Sequence, residues 1–139
     1  MNAHLRVVGF GAFSGVIWLV APLFFTDFHQ DGSLVVFLLA GVLTGIATSL
    51  IVAGPVRRSG FGMTLLAGLL ALPLGAFVYG VTISTLHWLI QNGEVGIPFD
   101  PIVAGYWFMV YASVSLLSVV FYPASVTTTF LLQRVVRSA

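Results

Sequence analysis

The sequence predicts an all-α integral membrane protein, a bundle of four transmembrane helices with both termini in the cytoplasm. Three observations carry this expectation. The chain is 59% apolar and only 6% charged, it divides into four apolar runs long enough to cross a bilayer, and its arginines all fall on one side of a four-span path. Mean hydropathy is +1.10, and a soluble domain, at about a quarter charged, requires a polar shell that this composition cannot supply.

Crossing roughly 30 Å of hydrocarbon takes about 20 helical residues at 1.5 Å each. The runs at about 7–26, 33–54, 61–90 and 102–132 meet that length, and one transmembrane domain over 1–139 accounts for the chain. The first run follows Arg6 with the charge order of a secretory signal, but its length and the lack of a small-x-small site read as an uncleaved span. Asp27-Phe28-His29-Gln30-Asp31-Gly32, Pro55 to Gly60 and Gln91 to Glu94 break the runs apart. Continuous apolarity, rather than alternation in short segments, selects helices over a barrel. The last two runs would reach roughly 45 Å if wholly helical, so they must tilt, kink or project. Pro22, Pro73 and Pro123 each remove a backbone donor inside a run and are expected kinks.

Orientation follows from the basic residues, which stay on the cytoplasmic side when loops are short. Arg6, Arg57, Arg58, Arg134 and Arg137 share one side of the four-span path, and Asp27, Asp31, Glu94 and Asp100 share the other. The expected location is a bacterial-type cytoplasmic (inner) membrane, with Trp88, Tyr106 and Trp107 in the outer aromatic belt. Small residues at helical spacing, Gly11 with Gly15, Gly41 with Gly45 and Ser49, and Ala67 with Ala71 and Gly75, predict close helix packing or a homo-oligomer. A weak echo, Gly9-Phe10-Gly11 with Pro22-Leu23 against Gly60-Phe61-Gly62 with Pro73-Leu74, would make spans one and three parallel repeats of a two-helix unit. Its residues are common in this chain, and spans two and four do not match.

The interior of the four runs carries no Asp, Glu, Lys or Arg, which argues against proton-coupled transport and voltage sensing. The most ordered polar pattern is in the fourth run. Tyr111, Ser115, Ser118, Tyr122, Ser125 and Thr129 recur every three or four residues, and one continuous helix would align them as a single hydroxyl stripe. Such a stripe either bonds helix to helix or lines a narrow polar path. On the outer side Asp27, His29, Asp31, His87, Glu94 and Asp100 are weak candidates for a metal site, since carboxylates and imidazole suit divalent cations. His29 and His87 are weaker still as haem ligands, and no cofactor is expected. The chain lacks cysteine, and no phosphate loop, dinucleotide fingerprint or hydrolase motif is present.

These features rank the functions. A structural or accessory subunit acting by helix contact, with itself or another membrane protein and with the fourth span as its face, leads. A small channel or transporter for a neutral solute or ion comes second, and a membrane enzyme or metal or haem protein using the outer His and acid residues trails. The chain is expected not to be an enzyme. Membrane lipid is the expected surrounding partner, and a net charge of +1 offers nothing to nucleic acid.

Overall fold

The computed structural model describes residues 2–20, 34–90 and 100–138. Among them the chain is helical throughout: α1 is Ala3–Trp18, α2 Leu34–Val56, α3 Phe61–Ile90, α4 Pro101–Val114 and α5 Ser118–Arg137. Three stretches, Val35–Val56, Phe61–Ile90 and Ser118–Arg137, are long and apolar enough to cross a membrane, whereas α1 and α4 are shorter apolar helices. Large apolar side chains such as Phe13, Leu43, Leu70 and Val120 point outward, as a surface facing hydrocarbon requires.

Two of the expected runs keep their bounds closely: α2 covers 34–56 and α3 covers 61–90, with Pro73 held inside α3. The second half of the first run, including Pro22, lies outside the described residues. The fourth run requires a correction, because it is two helices and not one. Ser115 leaves α4 in an extended conformation (ψ 161°), and the chain turns back into helix where the Ser118 N–H donates to the Ser115 carbonyl at 2.9 Å. The cause is local. Serines at 113, 115 and 118 weaken the helix, because their hydroxyls compete for backbone groups. Pro123 removes a further rung and crowds the carbonyl of Val119, so the chain yields one to two turns before the proline and not at it. Ala112 and Phe121 then close around the gap against Leu72, near the middle of α3.

Glycine determines how closely the helices approach. α1 lies on α2 through Gly11 and Gly15 facing Gly41 and Gly45; a Cβ on Gly11 would sit 2.7 Å from the Gly45 carbonyl oxygen. α3 meets α4 where a Cβ on Gly80 would lie 2.7 Å from the Ala104 oxygen, and meets α5 where one on Gly68 would lie 2.7 Å from the Val126 Cα. Backbones this close gain dispersion contact, which drives helix association where lipid removes the hydrophobic incentive. The two copies of the sequence echo sit in different settings. Gly11 is packed inside α1, whereas Gly62 has open space at the start of α3.

One end of the bundle is tied by polar contacts. Gln133, 7% exposed, places its amide nitrogen, with two protons to share, within hydrogen-bond distance of the carbonyls of Val56 (2.8 Å) and Ser59 (3.0 Å) and of the Thr64 hydroxyl (2.8 Å). The last carbonyls of α2 have no partner in their own helix, so α5 supplies one. Arg137 adds bonds to the Ser59 carbonyl at 2.6 Å and the Arg57 carbonyl at 3.4 Å, and Arg6 reaches the Ser138 carbonyl at 3.1 Å. The start of α1, the α2–α3 turn and the end of α5 therefore meet at one end.

Two outcomes follow for thermal unfolding in mild detergent. Gly45→Ala should lower the midpoint, because its Cβ would collide with α1 backbone at a cost of about 1–3 kcal/mol, while Gly9→Ala, with nothing within 4 Å of its Cβ, should hold or raise it, since alanine is the better helix former. Gln133→Ala should cost about 1 kcal/mol or more, since it removes the amide that joins α5 to Val56, Ser59 and Thr64; a midpoint matching the parent would show that the knot carries no stability.

Candidate functional site, a hydroxyl-lined cavity in the bundle

A cavity of about 140 Å³ lies among the helices, bordered by α1, α2, α3, α4 and α5. On α2 its lining runs from Gly41 to Val52, about 16 Å along the axis at the helical rise. Apolar clusters stand at both ends. Val7, Val52, Val56, Leu132 and Val136 form one, toward the arginine end. Leu19, Val36, Ala40, Tyr79 and Ile83 form the other.

Apart from Ser49 and Trp18, the side-chain polar groups of the lining fall into two kinds. Ser14 donates to the Gly11 carbonyl (3.1 Å), Ser125 across to the Gly68 carbonyl of α3 (2.7 Å), Thr128 to Ala124 (2.8 Å) and Thr129 to Ser125 (2.9 Å). Their single protons are spent. The hydroxyls of Thr44, Thr48 and Tyr79 are equally buried yet have no hydrogen-bond partner among the described residues. Elsewhere in these helices Thr64, Thr85 and Thr127 return their protons to the carbonyl four residues back, at 3.1, 2.7 and 2.8 Å, which is the ordinary resolution for threonine in a helix. Thr44 and Thr48 depart from it. Both border the cavity, as does Tyr79, which is only 6% exposed and held by Phe37 and Phe108 at ring distances of 6.2 and 5.3 Å. Gly75 keeps space beside this group, since a Cβ there would meet the Thr48 Oγ1 at an ordinary 3.6 Å. Among the described residues no charged side chain reaches the lining.

The expected hydroxyl stripe of the fourth run is divided by the break. Tyr111 is exposed on α4, in a ladder with Tyr106 and Trp107 at ring distances of 6.3 and 6.0 Å. Ser115 sits in the break with its hydroxyl unpartnered, and Ser118 opens α5 half-buried. Tyr122 packs on the Leu72–Phe121 cluster. Only Ser125 and Thr129 reach the cavity. The stripe needed one helix, and the chain provides two.

Of the outer group, Asp27, His29, Asp31 and Glu94 lie outside the described residues. Asp100 caps α4, its Oδ1 accepting from the Ile102 N–H at 2.8 Å, and His87 lies half-buried in the last turn of α3. Among the described residues no three metal-ligating side chains come together. Thr44, Thr48 and Tyr79 were not singled out by sequence. The available signal was a face of α2 on which Gly41, Thr44, Gly45, Thr48, Ser49 and Val52 recur at helical spacing.

A double Thr44→Val, Thr48→Val change should hold or raise the unfolding midpoint, because it removes buried hydroxyls that have nothing to bond. Ser125→Ala should lower stability by about 1 kcal/mol through loss of the bond to Gly68. The reverse order of the two midpoints would contradict this assignment of partners.

No protein-family model matches the chain, and no curated protein and no solved structure matches it either.

Proposed function

We propose that this chain is a four-span membrane protein, with α1 beginning the first span and α4 with α5 forming the last, that passes a small uncharged solute through the interior of its bundle. The observation carrying this reading is the cavity bordered by the unpartnered hydroxyls of Thr44, Thr48 and Tyr79. Buried hydroxyls without partners cost stability, and these three belong to residues that border one cavity. The lining without charge suits a neutral cargo over an ion, and the apolar clusters at the two ends are positioned to act as gates. The break in the fourth run falls beside the midpoint of α3, where interrupted helices border substrate sites in transporters.

Arg6, Arg57 and Arg137 converge at one end of the bundle, which supports both termini on the cytoplasmic side of a bacterial-type inner membrane. The aromatic ladder of α4 lies toward the other end, as an interfacial belt would.

The accessory-subunit reading draws less support, because Gly11, Gly15, Gly41 and Gly45, which helped motivate it, are consumed by the α1–α2 contact within the chain. One observation favours it. Val114, Leu116 (94% exposed) and Val119 form an apolar ridge around the break, which suits contact with another helix in the membrane.

Vesicles containing the purified chain should shrink and reswell in glycerol or urea several-fold faster than protein-free vesicles. Gly75→Leu, which projects into the cavity, should return that rate to background; equal permeability with and without protein would remove the proposal. Because the chain has no cysteine, orientation is open to labelling. Asn2→Cys and Ser138→Cys should react with an impermeant maleimide only from the cytoplasmic face, and Asp100→Cys only from the opposite one.

A further inference from the structure

The geometry points to a specific class of occupant for this cavity: an uncharged molecule the size of a single six-membered ring, bearing a carbonyl-type oxygen that accepts hydrogen bonds. The inference rests on the cavity being the functional site, but not on its being a route across the membrane.

Size comes first. At about 140 Å³ the space is close to the roughly 150 Å³ engineered cavity that holds benzene, so one ring with a short substituent fits and a sugar or a nucleoside does not. Hydrogen-bond direction comes second. Each hydroxyl has one proton, and Ser14, Ser125, Thr128 and Thr129 have given theirs to backbone carbonyls. Ser49 and Trp18 border the space with an O–H and an N–H, and the fully buried hydroxyls without a partner among the described lining residues belong to Thr44, Thr48 and Tyr79. They lie on adjoining turns of α2 and α3, with Gly75 opening the wall beside Thr48. An occupant that satisfies them must bring an acceptor. The apolar part of the lining comes third. Phe10, Trp18 and Phe108 border the same space, and aromatic faces and edges favour a ring at offset or edge-on distances. With no charge in the lining, an ionised ligand would enter without a counter-ion, a large desolvation cost. Water alone could meet the three hydroxyls, but it would leave the aromatic border without a partner.

The test uses an isosteric pair, acetophenone with an accepting oxygen and ethylbenzene without one. The full chain carries Trp88→Phe and Trp107→Phe, so that Trp18 at the cavity is the sole tryptophan and its emission reports binding in mild detergent. Thr44→Val with Thr48→Val and Tyr79→Phe removes the three donors at nearly constant shape. The expected result is that this triple change weakens acetophenone roughly tenfold, the loss of one or two neutral hydrogen bonds, and leaves ethylbenzene within about twofold. Partition of each probe into detergent cancels in these ratios. No response of Trp18 to acetophenone, or equal weakening of both probes, overturns the inference. If the triple variant fails to fold, Tyr79→Phe alone is read for the same selective loss. Selective binding without solute flux would remove the transport reading and leave this one standing. Flux with no selectivity would remove only this one.

Discussion

Hydrocarbon offers no hydrogen-bond partner, so a chain that is 59% apolar and folds among lipids must meet its polar groups from within. Most of the polar detail of this bundle is a response to that constraint. Threonines on α3 and α5 bond back to their own helices, Ser125 reaches across to the Gly68 carbonyl, and Gln133 supplies protons to the open end of α2. Asp100 does the same for the first turn of α4. Where the requirement is met so widely, the buried hydroxyls that do not meet it, those of Thr44, Thr48, Tyr79, Ser113 and Ser115, become informative. Of these, Thr44, Thr48 and Tyr79 border the cavity.

Close packing and open space are produced by the same residues. Glycines bring α1 onto α2, α3 onto α4 and α3 onto α5 at backbone contact, and helices drawn together along those seams cannot also fill the volume between the pairs. The cavity occupies that remainder, with the valine-rich cluster at one end and the cluster of Leu19, Val36, Ala40, Tyr79 and Ile83 at the other. Gly75 differs from the seam glycines in having room for a Cβ. It lines space and does not close a contact. This distinction separates a glycine that packs from one that hollows, and spacing along a helix does not reveal it.

The break at Ser115 has consequences beyond the fourth run itself. It lets α4 turn Tyr106, Trp107 and Tyr111 outward while α5 turns Ser125, Thr129 and Gln133 inward, a rotation that one straight helix would forbid. The bundle thus gains an exposed aromatic face and a polar inner face from one apolar run. The gap is covered by Leu72, Ala112 and Phe121, so neighbouring side chains support the interrupted ladder, as a helix break at membrane depth requires.

By itself the sequence determined the class of protein and the rough extent of its helices, because hydropathy and chain length act locally and additively. The bounds of α3, the approximate bounds of α2 and the small-residue spacing on α1 and α2 were legible for that reason. The chemistry of the site was not. A hydroxyl stripe read at helical spacing assumes that the helix continues, and the serines that composed the stripe are the residues that interrupt it. Whether a threonine bonds its own backbone, bridges to another helix or faces a cavity depends on what stands opposite, and Thr44 on α2 and Tyr79 on α3 border one cavity only once the helices have packed. Tertiary packing alone made that decision, since a hydroxyl's partner is a matter of distance in space and not of spacing along the chain.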